Sequence, residues 1–262
     1  MNKQTIKIGL FGFGCVGQGL YDVLHQTKGI KAEIVRICVK DKNKERSLPS
    51  QYFTFDKKDI LEDENIDVVV ELIDDADEAF EIVTTALKNG KAVVTANKKM
   101  LAEHLKTIYE LQQQTKRPVL YEGAVCAAIP IIRTLEEYYD NDLLSSIEGI
   151  FNGTTNYILT KTVEENKTYD EALKQAQKLG FAESNPKLDV EGYDPKFKLA
   201  ILATHAFGLF INPDQIVNVG IHHLSPNDVL YANEKGFRLK LVPHLQKIEA
   251  DVVGYVLPLK AR

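Results

Sequence analysis

Gly12-Phe13-Gly14-Cys15-Val16-Gly17 is a G-x-G-x-x-G run, a spacing that can bring backbone against a pyrophosphate. In such a turn the first glycine permits the sharp bend and the second lets the main chain approach the phosphates. The third lets the following helix pack closely on the preceding strand, and the helix N-terminus adds positive potential. A purely structural turn uses the same spacing, so the surrounding elements decide. The end of the next strand reads Val39-Lys40-Asp41-Lys42-Asn43-Lys44. A carboxylate there would hold a ribose 2′-hydroxyl, and a cation would take a 2′-phosphate. Lysines predominate, which favours NADP through Lys40, while Asp41 keeps NAD open; a solvated charged loop accounts for the same lysines. Farther along, Asp194 precedes Lys198 by four residues. On a helix the two side chains share one face, which suits an acid–base pair. It equally suits an exposed ion pair that contributes only about 0.2–0.5 kcal/mol.

The elements that would position these groups are marked by hydrophobic rhythm. Apolar runs of strand length lie at Ile6–Phe11, Ile34–Val39, Val68–Ile73, Ala92–Thr95 and Val119–Tyr121. Stretches with helical spacing separate them, at Gly17–Gln26, Ala76–Asn89 and Met100–Thr115. Strands that are apolar throughout are buried on both faces, and their alternation with helices gives βαβ units. The expected fold class is therefore α/β, with a Rossmann-type doubly wound parallel sheet over residues 1–122. After Tyr121 the rhythm changes, and residues 123–262 are expected to form an α+β domain. Its predicted elements are a helix over Ala127–Tyr139, a strand near Ile147–Phe151 and helices at Tyr157–Glu165, Tyr169–Leu179 and Pro195–Phe207. A final strand covers Val252–Leu257. No repeat and no low-complexity stretch interrupts the chain.

Composition narrows the function classes. The 262 residues are 44% hydrophobic and 26% charged, with 32 basic against 37 acidic side chains and a formal charge of −5. That balance gives no reason to expect a nucleic-acid partner. No window approaches the roughly 18 consecutive apolar residues of a membrane span. Cys15, Cys38 and Cys126 are odd in number and far apart, which fits neither a disulfide framework nor a zinc site and points to a reducing, cytoplasmic setting.

Thr95-Ala96-Asn97-Lys98-Lys99 sits at the carboxyl end of a predicted strand, where open α/β sheets bind ligands. Together with Asn152-Gly153-Thr154-Thr155-Asn156-Tyr157-Ile158-Leu159 and Asp189-Val190-Glu191-Gly192-Tyr193-Asp194, it resembles homoserine dehydrogenase. The segments follow the family's order from the glycine turn to about residue 245. The resemblance implies an NAD(P)-dependent interconversion of L-aspartate 4-semialdehyde and L-homoserine, on the route to threonine, methionine and isoleucine. It implies that Lys98 lies between nicotinamide and substrate and that Lys198 is the general acid, or base in reverse, with Asp194 orienting it or relaying a proton. Glu183 would grip the substrate's amino group, Asp189 would line the same region, and Thr154 would meet the carboxyl end. Read from the residues alone, the same Asn152–Asn156 segment also suits a strand-to-helix N-cap, a role open to Thr155 or Asn156. The cofactor would lie on Gly12, Phe13, Gly14, Cys15, Val16 and Gly17, with Lys40, Ile73 and Lys98. The resemblance also implies a monovalent cation, generally sodium, on Glu122 and the carbonyls of Val125, Ala127 and Ile129; the alternative is a glutamate that caps the next helix. A homodimer formed through a sheet of the second domain is expected.

Several features depart from the family's pattern. Glu71-Leu72-Ile73-Asp74-Asp75 replaces paired glycines in a loop that passes over the cofactor, adding bulk and negative charge. Cys126-Ala127-Ala128 replaces a glycine-rich turn, and Asn185 stands where an aspartate is common. The chain ends at Lys260-Ala261-Arg262, before the segment that in the family returns to the nucleotide domain. These departures would also fit a catalytically weak or truncated homologue that binds nucleotide or a partner without turnover. A dehydrogenase of the same layout acting on another amino or oxo acid is a third reading.

Overall fold

The computed structural model of the protein describes residues 5–27, 29 and 31–261. Two compact units divide the chain, Met1–Ile129 and Pro130–Arg262, so residues 123–129 pack with the first.

The first unit holds a sheet of β1 (Ile6–Phe11), β2 (Ala32–Cys38), β3 (Phe53–Thr54), β4 (Val68–Glu71), β5 (Ala92–Thr95) and β6 (Val119–Leu120). Its order is β3-β2-β1-β4-β5-β6, with every pairing parallel. The helices are α1 (Cys15–Gln26), α2 (Lys58–Leu61), α3 (Ala76–Lys88), α4 (Lys98–Thr115) and α5 (Gly123–Cys126). Leu10, Ile37, Val69 and Val93 are fully buried, as strands covered on both faces require. α3 buries Ile82, Val83, Ala86 and Leu87, while α4 buries Met100, Leu101, Leu105 and Ile108, each a stripe at helical spacing. The strand order reverses between β1 and β4, which opens the crevice at their carboxyl ends where ligands sit in such sheets.

The second unit holds β7 (Ser146–Glu148), β8 (Val217–Asn218), β9 (Arg238–Ile248) and β10 (Asp251–Ala261) in the order β7-β9-β10-β8. β9 and β10 form a long antiparallel hairpin in which Ile248 faces Asp251 across the turn. Its helices are α6 (Ile131–Tyr138), α7 (Gly153–Glu164), α8 (Tyr169–Lys178), α9 (Lys187–Val190), α10 (Tyr193–Phe207) and α11 (Pro226–Glu234). α10 is the central helix of this unit: Leu199, Ala200, Ile201, Leu202 and Ala203 in succession are buried, so it is covered on every side.

The helix expected over Ala127–Tyr139 is not continuous. Ala127 adopts φ 51 and ψ −108, and α6 begins only after Pro130. Proline disfavours helical backbone at the residue before it, so the break follows from the chain itself. β3, β8 and α9 are too short to carry a periodic signal and were not expected; α11 and β9 were also unmarked.

Candidate functional site

In the first unit the glycine turn joins β1 to α1. Gly12 has φ 91, and a Cβ there would meet the Leu72 carbonyl at 2.6 Å. A Cβ on Gly17 would meet the Gly12 carbonyl at 2.6 Å, so both glycines are required by the packing of the turn. Gly14 has nothing within 4 Å and stands open at the N-terminus of α1, with Cys15 and Val16 exposed beside it. Buried Phe13 anchors the turn, edge-on to Phe53 at 5.4 Å and Tyr21 at 6.4 Å. A close-packed base with an open rim of backbone fits a pyrophosphate cradle.

Opposite the turn, a polar network holds the loop after β4. Glu71 is fully buried. It accepts a hydrogen bond from the Ile73 amide at 2.7 Å and another from the Thr95 hydroxyl. Burial pushes its carboxyl above the usual range, against the pull of those two donors. Asn97 donates to the Ile73 carbonyl at 3.0 Å and caps α4 by accepting from the Met100 amide at 3.0 Å. Leu72 donates its amide to the Phe11 carbonyl at 2.9 Å, fixing the loop against β1. The departure at Asp74 and Asp75 has a structural use: Asp75 caps α3 by accepting from the Glu78 amide at 2.9 Å. That backbone bond holds its carboxyl below the usual range. Lys98 stands half-buried in the first turn of α4, at the same carboxyl edge of the sheet. Lys40, exposed after β2, is ion-paired with Glu78.

Glu122 lies just before α5, and its side chain makes no capping hydrogen bond to that helix. Val125 is buried, whereas Ala127 and Ile129 are exposed in the turn that follows. A carboxylate with three carbonyls is an all-oxygen set of the kind hard cations take. Among the described residues no group of three His, Cys, Asp or Glu could hold a metal ion.

In the second unit the reactive residue types converge around Asn152. Lys198 Nζ lies 2.8 Å from Asp194 Oδ2, with side chains only 13% and 5% exposed. This is not the solvated i,i+4 pair of an outer helix face. Lys198 also donates to the Phe151 carbonyl at 2.7 Å. Asn152 Nδ2 donates to Asp189 Oδ1 at 2.7 Å and to Asp194 Oδ2 at 3.0 Å. Its Oδ1 accepts from the Thr155 amide at 2.8 Å and hydroxyl at 3.0 Å. Asn152, rather than Thr155 or Asn156, is therefore the cap of α7. Burying such charges costs several kcal/mol unless they are paired and hydrogen-bonded, and each has partners here. Gly192, at φ 83, makes the left-handed turn that delivers Asp194 into α10. Thr154 gives its hydroxyl to the Phe181 carbonyl at 2.6 Å. Glu183 lies exposed on the loop beyond Phe181, and its backbone carbonyl accepts from Gln177 at 3.1 Å. Of the expected residues, Asp189, Asp194 and Lys198 are thus joined directly through Asn152 and Phe151, which sequence reasoning had given no such role. The signal available was an asparagine before Gly153 at a strand-to-helix junction.

Comparison with known proteins gives these residues a context. Residues 12–122 match the family model described as homoserine dehydrogenase, NAD binding domain, and residues 130–260 match the one described as homoserine dehydrogenase. The homoserine dehydrogenase of Lactococcus lactis subsp. lactis (strain IL1403) is 38% identical over 266 aligned positions, covering 97% of this chain and 62% of that protein. A solved homoserine dehydrogenase from Thiobacillus denitrificans superimposes with a TM-score of 0.93 at 36% identity, covering 98% of this chain and 62% of that one. The S. aureus homoserine dehydrogenase at pH 6.0 gives 0.83 at 34% identity, covering 98% and 67%. The chain spans 62% of the length of the first curated relatives it matches.

Proposed function

The chain belongs to the homoserine dehydrogenase family, and we propose that it catalyses the reversible NAD(P)H-dependent reduction of L-aspartate 4-semialdehyde to L-homoserine, in threonine, methionine and isoleucine biosynthesis. The observation that carries this reading is the buried Lys198–Asp194 pair, locked to Phe151, Asn152 and Asp189.

When bound, the nicotinamide dinucleotide supplies or accepts the hydride. Gly12, Phe13, Gly14, Cys15, Val16 and Gly17 would hold its pyrophosphate, with Ile73 across the turn and Lys40 at a 2′-phosphate, which favours NADP. Lys98 places a positive charge at the carboxyl edge of the sheet. An aldehyde receiving hydride develops negative charge on oxygen and needs a proton donor there. Two of the three Nζ hydrogens of Lys198 are engaged by Phe151 and Asp194, and the third remains to be given to that oxygen. In the oxidation direction Nζ takes the hydroxyl proton, and Asp194 balances the charge as it returns. Glu183 and Asp189 would take the substrate's α-ammonium. Thr154 would meet its carboxylate through backbone, its hydroxyl being given to Phe181. A sodium ion would bind Glu122 and the carbonyls of Val125, Ala127 and Ile129.

We further propose a homodimer formed through the sheet of the second unit, where Val217, Ile248 and Val253 are exposed. A cytoplasmic location accords with the free thiols of Cys15 and Cys38. Among the described residues no helix is long and apolar enough to cross a membrane.

Lys198→Ala tests the mechanism: NADPH affinity should stay within about twofold while turnover falls by at least about 100-fold. Equal turnover by variant and parent would remove Lys198 from the reaction.

A further inference from the structure

Two lysines meet on one carboxylate beside the carboxyl ends of β2 and β3. Lys40 Nζ is ion-paired with Glu78 Oε2, while Lys57 Nζ lies 3.4 Å from Glu78 Oε1 and 2.9 Å from Glu81 Oε2. The Glu78 side chain is 20% exposed, against 70% for Lys40 and 34% for Lys57, so the carboxylate is the sheltered member. Its backbone is fixed in the first turn of α3, where its amide is bound by the Asp75 cap. Asp75 acts on Lys40 as well, and Asp56 and Asp59 stand in the same neighbourhood, close enough to act on Cys38. The positive charge that Lys40 and Lys57 bring to this edge is thus already answered by protein carboxylates. These groups follow the carboxyl ends of β2, β3 and β4, the edge at which the glycine turn opens.

A ribose 2′-phosphate would require the same ammonium donors that Glu78 occupies. Its negative charge would lie within a few ångströms of the carboxylate, where like charges repel unless one withdraws. A ribose 2′-hydroxyl carries no charge and meets no such competition.

We propose that Glu78 limits the preference of this chain for NADP, holding Lys40 and Lys57 as an internal substitute for the 2′-phosphate, so that NADP must displace its carboxylate and NAD need not. This rests on the nucleotide-binding reading above and goes beyond it by naming the residue that tempers discrimination. Lys40 supplies the attraction for a phosphorylated ribose, and Glu78 limits how much of it is expressed.

The test uses the full chain and reads binding. NADPH and NADH are titrated by nucleotide fluorescence, and adenosine 2′,5′-bisphosphate and AMP by calorimetry. Glu78→Gln should tighten NADPH and the bisphosphate about threefold to tenfold and leave NADH and AMP within about twofold. Lys40→Ala added to Glu78→Gln should abolish the gain. Glu78→Asp, which keeps the charge but withdraws it by one methylene, should tighten NADPH less than the glutamine does. It serves as the second variant should the first fold poorly, as judged by thermal unfolding. An unchanged or weaker NADPH affinity in Glu78→Gln, with both nucleotides still bound by the parent, would overturn this inference alone. A parent chain that binds neither nucleotide would overturn it together with the nucleotide-binding reading.

Discussion

Lys198 keeps its ammonium between the Phe151 carbonyl and the Asp194 carboxylate, and Asn152 ties that carboxylate to Asp189. Asn152 is therefore a positioning residue: it touches no reacting atom in the proposed chemistry, yet it fixes two acids and caps α7. Asn152→Ala should lose both donors and the cap together, lowering stability by about 1–3 kcal/mol. Turnover should fall with it, and the pH profile of kcat should shift as Asp194 loses its neighbour. Unfolding and rate measurements on the folded variant check this; an unmoved pH profile would reduce Asn152 to a helix cap. Glu183→Gln should raise the KM for homoserine with little change in kcat, because an ammonium loses its charged partner. An unchanged KM would place the amino group elsewhere. The i,i+4 spacing of Asp194 and Lys198 was legible in the sequence because it is local. The role of Asn152 was not, since its partners lie 37 and 42 positions away.

At the scale of elements, the ends of β4 and β5 carry the loop that faces the glycine turn, and buried Glu71 is the fastener. Burial raises its carboxyl above the usual range, so the folded state binds the proton more tightly than the unfolded chain does. Its contribution to stability is then present at low pH and is lost as pH rises through the folded value. Glu71→Gln keeps an acceptor for Ile73 and a partner for Thr95 without the charge. Its thermal midpoint relative to the parent should improve as pH rises from the ordinary carboxylate range toward neutral. A difference that stays constant over that range would contradict the assignment. The strands and helices around this loop were readable because β1, β4 and β5 are predominantly apolar and α3 and α4 carry regular stripes. The break at Ala127 was not, because an alanine at positive φ is set by what packs around it, although Pro130 did mark the start of α6.

At the scale of the molecule, the motifs that resemble homoserine dehydrogenase are divided between two units, the glycine turn and Lys98 in one and the Asn152 cluster in the other. Each unit is intelligible by itself: a parallel sheet whose strand order reverses beside an open glycine turn, and a buried ion pair on a helix covered on all sides. Family membership follows from models that match both. Activity is what the chain, at 62% of the length of those relatives, has to demonstrate. The most direct measurement is homoserine-dependent reduction of NADP⁺ and NAD⁺ in a sample whose NADPH and NADH affinities have just been titrated. Both binding and turnover are predicted, with the phosphorylated nucleotide preferred. Binding without turnover in the parent chain would contradict the proposed dehydrogenase and leave a nucleotide-binding protein in its place.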